Sequence, residues 1–266
     1  MSEVLKAVLL GIIQGLTEFL PVSSSGHLEI GKYFLGTDLE GQESLLLSVV
    51  LHAATALSTI WVFRQEIADI IRGIFTKSWN EDKKFAVLVI ISMIPAGLVG
   101  FFLEDQLTTL FDGKIVFVAL MLIVTAFLLL ISDYAKRKEG NIKYSDSLII
   151  GISQAVALFP GISRSGATIS TALLLGLDKT KAATFSFLMV LPLILGKMGK
   201  DILNGTLSGT EMSSISLGAG FIAAFLAGVF ACTWMIKLVK NSKLRYFAIY
   251  CFVLATLVLI SFYIFP

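Results

Sequence analysis

Residues 11–26 read GIIQGLTEFLPVSSSG and residues 151–166 read GISQAVALFPGISRSG, and this pair of segments decides the fold. When the chain is shifted by 140 residues, seven of the sixteen aligned positions are identical without a gap. The shared Gly-Ile-x-Gln and Ser-x-Ser-Gly patterns are more than matches between apolar residues. The sequence therefore predicts an internal duplication, with repeat 1 over residues 1–140 and repeat 2 over residues 141–266.

Each segment lies in an apolar stretch that is too short on either side of its loop to cross a membrane. The loops are residues 21–27 and 160–166, both rich in proline, glycine and serine. A spanning helix needs roughly 20 apolar residues, and irregular backbone at membrane depth must be buried in protein or line a wet cavity. Residues 4–36 and 147–177 are therefore predicted to be re-entrant helix–loop–helix hairpins; a kinked ordinary span is the alternative.

Composition excludes most soluble classes. The chain is 56% hydrophobic and 15% charged, with a mean hydropathy of +0.87, whereas soluble domains are about 25% charged. An ordinary cytosolic enzyme, a disordered protein and a nucleic-acid binder are excluded on this ground, and no nucleic-acid partner is expected. The sequence predicts a single integral membrane domain, an all-α polytopic membrane protein. Its six full transmembrane helices are expected at residues 44–63, 85–103, 115–133, 183–203, 214–236 and 246–265.

Basic residues indicate the orientation. Of the 21 Lys and Arg residues, 15 fall in the alternate segments 64–84, 134–145, 178–182 and 237–245. The positive-inside rule makes these segments cytoplasmic and places both termini outside the cytoplasm. One hairpin plus three spans crosses the membrane an odd number of times, so repeat 2 begins on the opposite side. This predicts an inverted-topology repeat, an architecture with its site near the midplane, where broken helices meet.

The two copies differ in their polar residues. A duplication kept for packing alone has no need for such differences. One copy is interpreted as supplying a carboxylate, a hydroxyl and an imidazole, and the other a guanidinium. The aligned pairs are Glu18 with Leu158, Ser24 with Arg164, and His27 with Ala167.

Arg164 and Glu18 are the most informative of these residues. An arginine at membrane depth costs about 2.5–3.5 kcal/mol on insertion scales, and its planar fork suits phosphate or carboxylate. Arg164 therefore predicts an anion site, while an ion pair with Glu18 is a compatible reading of the empty state. Glu18 shares a helix face with Gln14. Its carboxylate could hold a divalent cation together with phosphate oxygens, act as a base, or only neutralise Arg164.

Serines and histidines complete the candidate site. The Ser-Gly pairs at 25–26 and 165–166 lie where the second half of each hairpin begins, and a helix start favours an anion, although serine also caps helices. His27 follows Ser24 by three residues and is a candidate proton carrier for a nucleophile or a leaving phosphate. His52 lies in an otherwise apolar span, where a packing role is favoured.

Residues 14–27, QGLTEFLPVSSSGH, and residues 160–168, PGISRSGAT, resemble the two signature motifs of the undecaprenyl-diphosphate phosphatases, also called bacitracin-resistance proteins. The first motif of that family has Glu or Gln, three residues, and then Glu. The second reads Pro-Gly-x-Ser-Arg-Ser-Gly-x-Thr. The resemblance extends over the whole chain in length and span pattern. Gln14 takes the less acidic option at its position, so it is interpreted as a helper rather than a second carboxylate.

The resemblance implies hydrolysis of a C55 polyprenyl diphosphate to the monophosphate, which recycles the lipid carrier for peptidoglycan synthesis and confers bacitracin resistance. It implies a divalent cation (Mg²⁺ or Ca²⁺), a bacterial plasma-membrane location and a site open to the outer face. A homodimer is compatible with the sequence. The expected catalytic residues are Glu18, which also serves as metal ligand, Ser24, His27 and Arg164. The expected substrate-binding residues are Gln14, Ser23, Ser25, Gly26, Ser163, Ser165, Gly166 and Thr168.

Two questions stay open from the sequence. Ser24 either attacks phosphorus itself or positions an attacking water. A transporter or flippase for an anionic or lipid-phosphate substrate would share inverted repeats and Arg164, but would have less use for Glu18, Ser24 and His27 on one copy. A membrane scaffold gives no reason to retain Arg164 and Glu18.

Overall fold

Apolar runs fold as helices here because a helix satisfies its backbone hydrogen bonds internally, without water. Apart from one isolated bridge between Gly140 and Leu177, the described residues of the computed structural model contain no β-structure. Those residues are 2–36, 42–103, 106–107, 109–110, 114–135, 140–203, 205, 212–241 and 244–264. The helices are α1 (Glu3–Phe19), α2 (Ser24–Leu35), α3 (Gln42–Val62), α4 (Arg64–Ile74), α5 (Glu81–Phe102), α6 (Ile115–Asp133), α7 (Tyr144–Val156), α8 (Arg164–Leu174), α9 (Lys179–Met189), α10 (Leu191–Leu203), α11 (Ser214–Asn241) and α12 (Arg245–Ile264).

Six segments of the described chain are long and apolar enough to cross a membrane, which confirms the predicted number. On α5, Ile90, Ile94 and Leu98 recur at four-residue spacing and are each more than half exposed, as expected of a helix face that contacts lipid. The bounds agree with the predicted spans to within four residues. They are Glu43–Val62, Glu81–Phe102, Ile115–Asp133, Lys179–Leu203, Ser214–Val239 and Arg245–Ile264.

Two pairs of shorter helices occupy the segments that decided the fold. Helix α1 ends before Pro21, and Leu20 adopts extended backbone at φ −70° and ψ 143°, because a residue that precedes proline is disfavoured in the helical region. Helix α2 begins at Ser24, four residues earlier than the apolar pattern indicated. Helices α7 and α8 flank residues 157–163, and here Ala157, which follows α7, has φ −76° and ψ 7°. These four helices are not among the segments long enough to span.

Two features differ from the sequence reading. Residues 64–84, for which the sequence predicts a cytoplasmic segment between two spans, contain the helix α4. The fourth span, predicted as one helix over 183–203, is divided at Val190 into α9 and α10. Pro192 explains the division, because proline lacks the N–H that would continue the hydrogen-bond ladder. Parts of the predicted loops, and the last residue of the last span, lie outside the described residues.

The short helices are packed deep against the long ones. Helix α1 packs along α11, α7 along α5, and both α2 and α8 against α6. Glycines allow the close approach, since a Cβ atom at Gly11 would overlap the carbonyl oxygen of Gly220 and one at Gly151 would overlap that of Ser92. The two short helix pairs are therefore seated between spans and are held there by backbone contact.

A methyl group at one of these contacts should destabilise the fold. In Gly151→Ala the new Cβ meets the backbone of Ser92, and overpacking of this kind costs about 1–3 kcal/mol. Gly97→Ala is the matched control, because nothing lies within 4 Å of a Cβ there and alanine favours the helix. We expect the thermal unfolding midpoint in detergent to fall for Gly151→Ala and to stay or rise for Gly97→Ala. Equal midpoints would contradict the close packing of α7 on α5.

Candidate active site

The two loops that interrupt the short helices lie against each other. A Cβ atom at Gly26 would lie 3.3 Å from the Cα atom of Gly161. Ser165 donates a hydrogen bond from Oγ to the carbonyl oxygen of Leu20 at 3.2 Å. This contact brings together the starts of α2 and α8, which are about 140 residues apart in the chain.

Serine hydroxyls cap both helix starts. Ser23 Oγ accepts from the backbone N–H of Gly26 at 3.2 Å, and Ser163 Oγ accepts from that of Gly166 at 3.0 Å. The hydroxyl of Ser25 lies 3.3 Å from that of Ser23. Since helix starts carry partial positive charge, two of them side by side form a suitable environment for an anion.

Thr125 of α6 fixes the second loop. Its Oγ1 donates to the carbonyl oxygen of Gly161 at 3.0 Å and accepts from the backbone N–H of Ser163 at 2.9 Å. Gly161 has φ 95°, which favours glycine, and a Cβ atom there would overlap the carbonyl oxygen of Val118. The backbone that leads into Arg164 is therefore held from both sides.

Glu18 is the centre of the site. Its Oε1 lies 2.6 Å from Nη2 of Arg164, and its Oε2 accepts from Ser24 Oγ at 2.6 Å and from Gln14 Nε2 at 3.0 Å. The Glu18 side chain is 8% exposed and that of Arg164 16%. The Arg164 guanidinium from one loop and the Ser24 hydroxyl from the other thus bond to the same carboxylate. The two loops therefore contribute to one site.

Arg164 has further partners on α8 and α9. Its Nη1 donates to the carbonyl oxygen of Ser186 at 3.1 Å. Thr168 lies one turn along α8, and its Oγ1 donates to the Arg164 carbonyl oxygen at 2.9 Å and lies 2.6 Å from the Ser186 hydroxyl. These contacts set the direction of the guanidinium toward Glu18.

His27 is held through both ring nitrogens. Nδ1 lies 2.8 Å from the carbonyl oxygen of Ser23, so Nδ1 is the donor there, and Nε2 lies 2.8 Å from the Tyr250 hydroxyl of α12. The two rings are stacked, with centroids 5.6 Å apart. Ser23 has φ 71°, which is uncommon outside glycine. His27 therefore supports the unusual backbone from which Ser24 begins α2.

Comparison with known proteins shows the family of the chain. Residues 7–257 match the family model described as bacitracin resistance protein BacA. The chain belongs to the BacA family. It is 57% identical to an undecaprenyl-diphosphatase of Christiangramia forsetii, over 98% of this chain and 99% of the relative. It is 47% identical to one of Bacteroides fragilis, over 97% and 98%, and 38% identical to one of Methanobrevibacter smithii, over 96% of each.

Membership of the BacA family and the six apolar spans make the chain a multi-pass membrane protein. The residues on which the family resemblance rested lie together in the structure. Ser24 and Arg164 both donate hydrogen bonds to the Glu18 carboxylate, and Gln14 donates to the same group. Their chemical roles stay predictions.

Four neighbours of the site were missed or read otherwise. Thr125, Ser186 and Tyr250 lie on separate helices and carry no local motif. His52, for which a packing role was favoured, faces the site with Nε2 4.0 Å from Glu18 Oε2. In the sequence, only the polar character of His52 in an otherwise apolar span indicates a possible role at the site. This character does not show whether the side chain faces the site or another helix.

Proposed function

We propose that this chain hydrolyses undecaprenyl diphosphate to undecaprenyl phosphate and inorganic phosphate. In this role it recycles the lipid carrier for cell-wall synthesis and confers resistance to bacitracin. The family match and the names of the relatives support this assignment. The observation that carries it is the ion pair of Arg164 with Glu18, whose carboxylate also binds the Ser24 hydroxyl.

The geometry suits the transfer of a phosphoryl group. Phosphoryl transfer is catalysed mainly by positioning and by stabilising charge on the phosphoryl oxygens. A terminal phosphate that enters between α2 and α8 meets the Arg164 fork and two helix starts. The prenyl chain of the substrate then lies among the apolar helices, where no polar group needs to be desolvated.

In the proposed reaction, the attacking oxygen belongs to Ser24 or to a water that Ser24 positions. It forms a bond with the terminal phosphorus, and the bond from that phosphorus to the bridging oxygen breaks, with the electron pair leaving on the prenyl phosphate. Glu18 Oε2 takes the proton, because Ser24 already donates to it at 2.6 Å. On the serine route the phosphoryl group is then bonded to Ser24 Oγ, and the proton passes from Glu18 to the departing prenyl phosphate. A water then gives a proton to Glu18 and attacks the phosphorus, the Oγ–P bond breaks, Ser24 Oγ regains a proton from Glu18, and inorganic phosphate is released. His27 is the proposed proton carrier for the products. Since both of its nitrogens are engaged, transfer through Nε2 requires the Tyr250 hydroxyl to move or to relay the proton.

A divalent cation, Mg²⁺ or Ca²⁺, is part of this proposal. Such ions are held through one or two carboxylates together with substrate phosphates, and Glu18 is a carboxylate of this kind. Among the described residues, no cluster of three or more His, Cys, Asp or Glu side chains could hold a metal alone. The residues therefore fit an ion shared with the diphosphate, which would neutralise charge on the transferring group.

Phosphate release from undecaprenyl diphosphate by the detergent-solubilised protein tests the function. Hydrolysis needs no sealed compartment, whereas transport does, so release in detergent separates the enzyme from a transporter or flippase. Glu18→Gln should lower the rate by at least about 10²-fold, in the range of a lost acid–base group. Glu29→Gln is the control, because Glu29 lies on α2 and pairs with Lys32. Absence of phosphate release by the unaltered protein would refute the proposed function.

We also propose that residues 4–36 and 147–177 are re-entrant hairpins of an inverted-topology repeat. The break at each loop supports this, as do the serine caps at 3.2 Å and 3.0 Å and the pairing of α1 with α11 and of α7 with α5. In this arrangement both termini face outward from the plasma membrane of a bacterium. A homodimer stays a prediction.

Single cysteines test the sidedness. The native Cys232 and Cys251 are buried, so they contribute little background labelling. An impermeant maleimide added to intact cells should label Ser2→Cys and leave Lys77→Cys unlabelled until the membrane is opened. The reverse pattern would invert the proposed orientation, and labelling of both positions would contradict the odd number of crossings between them.

A further inference from the structure

His52 presents a ring nitrogen to the carboxylate at the centre of the site. Nδ1 lies 2.7 Å from the carbonyl oxygen of Ser48, and a carbonyl only accepts, so Nδ1 carries the hydrogen. The neutral ring then has its lone pair at Nε2, which lies 4.0 Å from Glu18 Oε2. The His52 side chain is 34% exposed, so the ring is accessible to a ligand that enters the site.

The separation of these two atoms fits a shared ion better than a direct bond. Both atoms are acceptors, and 4.0 Å is beyond hydrogen-bond distance. Ligand atoms that each lie about 2.0–2.6 Å from one cation are roughly 3–5 Å apart, depending on the angle at the metal. Nε2 of His52 and Oε2 of Glu18 are therefore spaced as two ligands of one cation.

The side-chain oxygen of Gln14 offers a third ligand atom for the cation. The side chain is buried, and its Nε2 donates to Glu18 Oε2 at 3.0 Å. Its Oε1 is buried without a hydrogen-bond partner among the described residues. A buried carbonyl oxygen without a partner carries a desolvation cost that a ligand would remove. This oxygen belongs to the amide that bonds to Glu18, and amide oxygens are ordinary ligands of Ca²⁺ and related ions.

The charge balance decides when such an ion binds. Arg164 neutralises Glu18 at 2.6 Å, so the cluster offers no net negative charge to a cation that arrives alone. A diphosphate brings several negative charges and further oxygen ligands. The cation is therefore expected to bind together with the anion, not before it.

We propose that Glu18, Gln14 and His52 form a divalent-cation site that fills together with the diphosphate, with His52 Nε2 as its nitrogen ligand. The inference rests on the proposed function for the identity of the anion. It goes further in assigning a ligand role to His52 and in setting the order of binding.

Mn²⁺ with inorganic diphosphate is the probe, used on the full chain in detergent. Pulsed electron paramagnetic resonance detects a nitrogen bound to Mn²⁺, and ¹⁵N-labelling of histidine identifies its source. The chain has only two histidines, so the assignment is simple. We expect a histidine nitrogen signal from the unaltered protein that requires both Mn²⁺ and diphosphate. It should disappear in His52→Gln, with Mn²⁺ binding at least tenfold weaker.

Ser48→Ala is the matched control, since it alters the same helix but keeps the carbonyl group that orients His52, and it should retain the signal. A second variant changes the charge at the site instead of the ligand, and its thermal unfolding midpoint is measured as well, because removal of one partner of a buried ion pair is itself destabilising. Arg164→Gln leaves the Glu18 charge uncompensated and should bind Mn²⁺ more tightly than the unaltered protein when diphosphate is absent.

A nitrogen signal that persists in His52→Gln, one that is absent from the unaltered protein, or unchanged Mn²⁺ affinity in Arg164→Gln would overturn the proposal. None of these measurements requires turnover, so their outcome is separate from that of the phosphate-release assay.

Discussion

Arg164→Lys is expected to lower kcat/KM for phosphate release from undecaprenyl diphosphate by at least about 10²-fold, the size of effect seen when one stabilising donor is removed from an active site. The guanidinium donates to Glu18 through Nη2 and to the Ser186 carbonyl through Nη1. A lysine ammonium keeps the positive charge but cannot reproduce this planar fork. The charge alone is therefore not expected to preserve the proposed contact of Arg164 with the phosphoryl oxygens.

The measurement is steady-state phosphate release, with Arg72→Lys as the control. The Arg72 side chain is 80% exposed on α4, so its replacement should leave kcat/KM unchanged. Lysine is preferred to alanine at position 164, because removal of one partner of a buried pair costs about 3–5 kcal/mol and would confuse stability with activity. If Arg164→Lys keeps more than a tenth of kcat/KM, the fork is not needed for the reaction.

A double variant separates the functional reading of this ion pair from a purely structural one. Glu18→Gln with Arg164→Gln removes both charges, so neither is left buried and unpaired. Because an unpaired buried charge is the main cost of either single variant, the unfolding midpoint of the double variant should recover relative to both. Activity should stay lost. Recovery of both would mean that the pair serves the fold alone.

The pairing of Glu18 with Arg164 could be predicted from the sequence because each residue is costly at membrane depth without the other. The predicted duplication places Glu18 just before one loop and Arg164 in the equivalent loop of the second copy, and the predicted inverted order of the repeats favours a meeting of the two loops. The six spans could be predicted because six long stretches of the chain contain few charged residues, which are costly inside a membrane. In each case a large free-energy cost left few alternatives.

The neighbours of the pair could not be predicted for a geometric reason. Tyr250 bonds to His27 from a helix 223 residues away, and Ser186 meets Arg164 across the junction of α8 and α9. Such contacts depend on the rotation and depth of each helix, which hydrophobic periodicity fixes only coarsely when a span is apolar on most faces. His52 shows the consequence, because its position in a span was clear and the direction of its ring was not.

If Ser24 is the nucleophile, Ser24→Ala should lower the rate of phosphate release by at least about 10³-fold, because loss of a nucleophile removes the covalent route entirely. Ser24 is the first residue of α2, and the helix start favours the developing negative charge on its oxygen. Its hydroxyl donates to Glu18 at 2.6 Å, which supplies the proton acceptor. Acid quenching during turnover, followed by mass spectrometry, should then find phosphate on the peptide that contains Ser24.

The same variant decides between the two routes left open by the sequence. If water attacks directly, Ser24→Ala loses only a positioning hydrogen bond and keeps a measurable fraction of the rate, and no phosphoserine accumulates under any quench. Ser145→Ala, an exposed serine at the start of α7, controls for the handling of serine variants. Retention of most of the turnover in Ser24→Ala would exclude the covalent route and leave Glu18 as the group that prepares water for attack.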